Sequence, residues 1–347
     1  MQPKVKRFIL PKAKIVGRVL LVILLFVAFF KMFTAVTRLM QETSITPGTL
    51  ARLVFDSGAA LKTADNRTNV LLLGIPGGSH AGADLTDSMV IVSFNSKTKT
   101  LSLVSLPRDI WSDTLKDKIN SAYYYGEEKR KGGGILLAKV VVEDVVGMPV
   151  HYGLVIDFSG FRRVIDEIGG VDVMVAKSFV DADFPIEGKE EDLCDGDQKY
   201  RCRYEIIGFD AGTQHMDGTM ALKYVRSRHA DGEEGSDFAR GRRQQEVIVA
   251  LKATLTKPST WLTRGNLGSL LESLDIATDT DMKLGELLTF GKLVARIKAE
   301  STQRISIEDQ LVAPPLWLYG GKYVLVPKED DTAIHNYIKL RLEFDQK

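Results

Sequence analysis

Residues 88–106, SMVIVSFNSKTKTLSLVSL, decide the fold. Two β-rich apolar runs, Ser88–Phe94 and Thr100–Leu106, flank the polar five Asn95–Lys99, a hairpin-like connection. Upstream, Val70–Leu73 is a short apolar run that ends in a Gly-rich loop, Gly74–Gly82. Downstream, Tyr152–Ile156 and Val171–Val175 read as further strands. Helical spacing marks Ile135–Val146, Ser159–Ile168, Glu246–Leu255 and Lys283–Lys298. Apolar strands alternating with helices predict an α/β fold with a central β-sheet covered by helices on both faces. The hairpin makes that sheet mixed rather than purely parallel.

The ends bound the function. Residues 1–18 hold six Lys and Arg and no acid, and an apolar stretch follows to Val36, with Lys31 near its outer end. The span from Val16 to Val36 is about what a bilayer needs, and Lys31 can snorkel. The expected organisation is a basic cytoplasmic tail (1–18), one N-terminal transmembrane helix (19–36), a juxtamembrane connector (37–68) and an extracytoplasmic domain (69–347). A cleaved signal peptide is the rival reading, and both export the body. Residues 1–31 carry seven positive charges, so a net charge of +1 leaves −6 on the remainder. An acidic body excludes nucleic acid as the expected partner. Cys194 and Cys202 lie in the polar segment Glu187–Arg203. In an exported protein they are expected to form a disulfide, with a zinc site and free thiols as the alternatives.

Charged residues cluster around the apolar strands. Arg108 and Asp109 follow Pro107 at the end of a strand, where open α/β sheets bind ligands. Asp84 and Asp87 precede the first strand of the hairpin, Ser88–Phe94; they hold Mg²⁺ or only begin a turn. Ala221–Arg228, read as extended, puts Tyr224, Arg226 and Arg228 on one face. A helix Ser236–Leu251, capped by Ser236 or Asp237, places Asp237, Arg240 and Gln244 in one stripe that turns apolar at Val247, Ile248 and Leu251. Several arginines that face inward need a polyanion, and its natural form here is pyrophosphate. The bland alternatives are a local ion pair for each Asp–Arg couple, a solvated face for Arg226 and Arg228, and a surface role for Lys118. The Gly-rich loop lacks a phosphate-loop signature, and His229 is a loop residue.

The ordered motifs resemble the LytR-CpsA-Psr proteins of bacterial envelopes. They are Asp87-Ser88, Ser105–Asp109, Lys118–Tyr123, Asp157–Phe161, Ile165–Val173, Met216–Arg228 and the Asp237–Gln244 helix, and they run from about Asn69 to Leu255. The resemblance implies an αβα domain and a membrane-anchored phosphotransferase. Such an enzyme moves a glycopolymer from a polyprenyl-pyrophosphate carrier to a peptidoglycan acceptor. It also implies an apolar tunnel for the lipid, Mg²⁺ on Asp87 and Asp237, and pyrophosphate on Arg108, Arg226, Arg228 and Arg240, with Gln244 and Lys118 beside them. Two positions depart from the family pattern: Leu85 stands where an arginine is usual, and Ile75-Pro76-Gly77 where an acid is usual. Asp84 is the candidate substitute for the missing acid. A lipid-pyrophosphate sensor or envelope scaffold that does no chemistry, and a pyrophosphatase with water as acceptor, remain the other readings.

Overall fold

Asn95 closes the hairpin. Its side-chain oxygen accepts from Lys97 N at 2.9 Å and Thr98 N at 3.1 Å, and Lys99 takes the left-handed conformation before the chain returns. The computed structural model describes residues 59–78, 82–257, 260, 278–298 and 301–343. The expected tail (1–18), the anchor (19–36) and most of the connector lie outside the described residues. Among the described residues no helix is long and apolar enough to cross a membrane.

In chain order the first half holds β1 (Arg67–Ile75), β2 (Ser88–Asn95), β3 (Thr100–Ser105), β4 (Trp111–Ser112), β5 (Asp117–Lys118), α1 (Ala122–Lys129), α2 (Gly134–Val146), β6 (Tyr152–Asp157) and α3 (Phe158–Glu167). Next come β7 (Val171–Val175), β8 (Phe179–Pro185), β9 (Tyr204–Phe209), β10 (Gly212–Met216), α4 (Gly218–Arg226) and α5 (Asp237–Thr256). The rest is β11 (Thr278–Thr280), α6 (Leu284–Ala295), β12 (Thr302–Ser306), β13 (Leu311–Val312), β14 (Val326–Pro327) and α7 (Asp331–Glu343). Six strands form the central sheet in the order β11-β6-β1-β2-β3-β12. The β1–β2–β3 meander is antiparallel, while β6 and β12 join β1 and β3 in parallel. The sheet is therefore mixed.

Period-two alternation explains why both faces are apolar. Leu71, Leu73, Ile91 and Val104 point into one core with α1, α2 and α7. Val70, Val90, Val92 and Leu103 point to the other face, towards α5 and α6. A third core joins α3, α4 and α5 to the two-stranded sheets β7–β10 and β8–β9. Gly147 ends α2 with φ 66°, where a Cβ would collide with the His335 ring.

Two expectations are corrected. Ala221–Arg228 is not a strand: Gly218–Arg226 is helix α4, followed by a turn at Ser227–His229. Asp217 caps it by accepting from Met220 N, and buried Ala221 and Leu222 with Val225 follow helical spacing. Val171–Val175 is a strand but not of the central sheet. It buries only Val171, Val173 and Val175, leaves Asp172 and Met174 exposed, and pairs with β10. The two helical stretches around Glu246 are one helix, α5, capped by Ser236, whose oxygen accepts from Ala239 N at 3.1 Å.

Cys194 and Cys202 form a disulfide in the β8–β9 loop, with Cα atoms 5.5 Å apart. Both sulfurs are thereby taken, so the zinc and free-thiol alternatives fall. The closed loop is short, and reduction is expected to cost at most about 3 kcal/mol. Non-reduced, denatured protein is expected to show no thiol label; labelling at two thiols per chain contradicts the pairing.

Candidate active site

The chain direction of the sheet brings the charged motifs to one edge. β1, β3 and β6 end there and β2 begins there. Gly74, Asp87-Ser88, Arg108 and Phe158 therefore meet at the mouth of a cavity of about 300 Å³. Helices α4 and α5 form the opposite wall. Gln245 seats α5 on the sheet, donating at 3.1 Å to the carbonyls of Leu103 and Ile305. That contact turns Arg240, Gln244, Ile248 and Leu251 along the cavity. Its walls change from arginines at the mouth to Leu72, Val90, Leu154, Leu222 and Leu251 within. A site with one ionic end and a greasy interior suits an amphiphile.

Arg108 lies at the centre of the ionic end. It pairs closely with Asp87, and its Nε stands 3.6 Å from Asp109 Oδ2, buried without a hydrogen-bond acceptor. Burial works against its charge most strongly. The carboxylates of Asp87, Asp109 and Asp237 outweigh it and raise the pKa above the ordinary guanidinium value. Arg240 pairs with Asp237 at 3.0 Å and is almost wholly buried. Burial pulls its pKa down, with Asp237 opposing and Arg108 repelling. Arg226, at the end of α4, stacks on Phe158 with its guanidinium carbon 4.4 Å from the ring centroid. Burial depresses its pKa, with Asp87 as the main opposing charge. Arg228 lines the cavity from the following turn. Among the described residues no carboxylate forms an ion pair with Arg226 or Arg228, and the Gln244 side chain has no hydrogen-bond partner. Four arginines and Lys118 face three carboxylates, a local excess of two positive charges. That excess matches a doubly charged diphosphate.

Not every expected residue enters the cavity. Lys118 turns to Asp109 at 2.6 Å and does not line the cavity. Asp237 stands behind Arg240 rather than in the wall. Asp84, Leu85 and His229 do not line it either. Gly77 has φ 72°, and a Cβ there would come within 2.8 Å of Asp157 Cβ. Gly77 therefore packs tightly on the side chain that caps α3 by accepting from Gly160 N.

Two residues hold the site in place: Arg243, which the sequence placed in a motif without a role, and Asp181, which it did not single out. Arg243, on the other face of α5, is fully buried: it donates to the carbonyls of Tyr224, Ser227 and Glu234 and pairs with the Glu234 carboxylate at 3.0 Å. Asp181 is buried under the α4–α5 turn and accepts from Ser227 Oγ at 2.7 Å and from Arg228 N and His229 N at 3.1 Å. Burial pushes the Asp181 pKa up, but these hydrogen bonds prevail and hold it below the usual carboxylate range. A depressed folded pKa stabilises above the unfolded value of about 4, and the gain fades as pH falls through the lower folded value. Asp181→Ala is expected to cost about 3 kcal/mol at pH 7 by orphaning these donors. The gap from the parent protein should narrow in acid; equal urea midpoints at pH 7 contradict it. No signal in the sequence separates Asp181 from the solvent-facing acids around it.

Known proteins share this fold. The chain is 27% identical over 246 residues to polyisoprenyl-teichoic acid–peptidoglycan teichoic acid transferase TagV of Bacillus subtilis (strain 168), covering 69% of this chain and 56% of TagV. It therefore spans just over half of that relative's length. It is 25% identical over 282 residues to the TagU transferase of Bacillus cereus, covering 79% of each. The crystal structure of B. subtilis TagV superposes with a TM-score of 0.58 at 24% identity, over 82% of this chain and 98% of that one, and shares the fold. The LytR_cpsA_psr family profile matches residues 35–339, which takes in the whole charged edge, both walls of the cavity and the helices that hold them; the chain belongs to that family.

Proposed function

We propose that the chain is a membrane-anchored glycopolymer phosphotransferase that works outside the cytoplasmic membrane, with its N-terminus in the cytoplasm. Its donor is a polyprenyl-pyrophosphate-linked glycopolymer and its acceptor a hydroxyl of peptidoglycan. The observation that carries this reading is the cavity with four arginines at its mouth and an apolar interior. The names of the TagV and TagU relatives support the substrate class. In the reaction the acceptor oxygen bonds to the phosphorus that bears the glycan, the bond from that phosphorus to polyprenyl phosphate breaks, and the hydroxyl proton ends on the departing polyprenyl phosphate or in water. Arg108, Arg226, Arg228 and Arg240 bind the diphosphate and stabilise the charge that gathers on the leaving phosphate. The apolar walls position the prenyl chain and exclude water. Gln244 is free to donate to a phosphate oxygen.

Asp87 and Asp237 would hold one Mg²⁺: their carboxylates are the hard oxygen ligands the ion takes, and each would share its arginine partner, Arg108 or Arg240, with it. When bound, the ion would neutralise phosphate oxygens. Two carboxylates leave most of its ligands to phosphate and water, so its affinity is expected to depend on the diphosphate. Calorimetry with Mg²⁺ and a soluble pyrophosphate lipid analogue tests this, and equal heats from the parent and an Asp87→Ala, Asp237→Ala double mutant contradict it. For the substrate, mass spectrometry of lipid co-purified with the full chain is expected to find a polyprenyl pyrophosphate with its glycan attached. Ordinary phospholipid alone contradicts the reading.

A further inference from the structure

A second feature stands beside the charged mouth and takes no part in the chemistry above. Between β13 and β14 the chain makes one exposed turn, Leu316–Tyr319, set between Pro314-Pro315 and Gly320-Gly321. Trp317 is 77% exposed, and Leu316, Leu318 and Tyr323 are each half exposed or more. Consecutive large apolar side chains left in water mark a binding surface. The turn is firmly seated. Tyr319 meets Trp111 edge-on, with ring centroids 4.8 Å apart. Leu325 N donates to Asp109 O at 2.8 Å, and Trp111 N donates to Leu325 O at 2.9 Å. The turn is thereby fastened to Asp109, whose carboxylate already faces Arg108 and Lys118.

We propose that the ridge of Trp317 and Tyr323 beside Trp111 is a saccharide subsite that holds the N-acetylhexosamine units of the acceptor glycan next to the transferred phosphate. This rests on the transferase reading given above. A pyranose offers an apolar C–H face and a rim of hydroxyls. Trp and Tyr answer with a flat ring and one polar handle. Charge points to an uncharged partner. Lys116, Lys118 and Lys322 pair with Asp113, Asp109 and Asp117, so the cations beside the ridge are already matched. An anionic bilayer finds no unmatched lysine on the ridge, and the surplus of positive charge lies at the cavity's arginines instead. Position points to the acceptor, because the donor's sugar is already tethered to the diphosphate in the cavity. Burial raises the pKa of the Tyr323 phenol, and the carboxylates of Asp109 and Asp237 add to the rise.

The test is calorimetry on the full chain in nanodiscs, with a soluble tetrasaccharide of N-acetylglucosamine, which carries no charge, as the probe. Trp317→Ala is expected to weaken tetrasaccharide binding about 10-fold or more. Trp317→Tyr should restore most of it, and affinity for the lipid-linked donor should stay unchanged. In turnover the acceptor KM should rise while kcat changes little. Because Trp317 is exposed, its thermal unfolding midpoint should match the parent. The proposal fails if the parent does not bind the tetrasaccharide, or if Trp317→Ala and Tyr323→Ala bind it as well as the parent. It also fails if donor affinity falls instead, or if only adhesion to phosphatidylglycerol vesicles is lost, which makes the ridge a membrane contact. If the variants lose the tetrasaccharide while the parent never transfers glycan, the subsite stands and the transferase reading falls.

Discussion

Arg226→Ala is expected to slow glycan transfer by about 10- to 100-fold, the loss of one charge-assisted contact to a buried phosphate in the transition state. Arg226 is the residue to remove because nothing else uses its charge. It lies at the end of α4, its guanidinium carbon 4.4 Å from the centre of the Phe158 ring, and among the described residues it has no ion-paired carboxylate. Burial already lowers its pKa, so an arriving anion supplies the partner that the fold withholds. Arg226→Lys is expected to recover little, because an ammonium neither stacks on Phe158 in the same way nor offers a two-pronged fork. The measurement is the rate of polyprenyl phosphate release at saturating acceptor, with the urea midpoint as a folding control. Full activity in Arg226→Ala would mean that the side chain is only a lid over Phe158.

Arg243→Met is expected to do the opposite: a loss of about 3–5 kcal/mol of stability, because it breaks a buried ion pair from one side. The side chain is 1% exposed and ties α5 to the end of α4 and to Glu234, with Phe179 under its guanidinium at 4.6 Å. Its removal leaves the carbonyls of Tyr224, Ser227 and Glu234 without this donor and leaves the Glu234 carboxylate to the more exposed Arg242 alone. A urea unfolding series is the check: the midpoint should fall with little change in slope. Arg240→Met, one helical turn away on the cavity side, should keep most of its stability and lose transfer. If Arg243→Met unfolds at the parent's midpoint, the α4–α5 junction is held by something other than this arginine.

These two arginines show where the sequence was legible. The stripe Asp237, Arg240, Gln244, Val247 follows from helical spacing alone, and α5 lays Arg240, Gln244 and Val247 along the cavity wall. The hairpin was legible for the same reason: two alternating runs around a short polar turn leave few alternatives. The segment Ala221–Arg228 misled because Tyr224, Arg226 and Arg228 alternate like a strand. The Asp217 cap and the spacing of Ala221, Leu222 and Val225 were the stronger local signal. Arg226 and Arg228 still reach one cavity, but through a helix end and a turn held by Asp181, a contact 47 residues away in sequence. The apolar lining was illegible residue by residue. Leu71 faces the packed core and Leu72 the cavity, yet both are strand leucines, and alternation does not say whether a face meets a helix or a space. Lys118 was the weaker candidate in the sequence, with a surface role as its alternative, and the structure gives its ammonium to Asp109 at 2.6 Å while Arg108 lines the cavity.

The most direct test of the account uses the full chain in nanodiscs with Mg²⁺, a polyprenyl-pyrophosphate-linked glycopolymer and a peptidoglycan oligomer. Polyprenyl phosphate and glycan-bearing oligomer are measured together. The account predicts that the two appear in equal amounts, only when the oligomer is present, and that Arg226→Ala lowers both alike. Release of polyprenyl phosphate without any glycosylated oligomer would mean that water is the acceptor. Tight binding of the lipid with no release under any acceptor would contradict the account, leaving a protein that holds its ligand and does no chemistry on it.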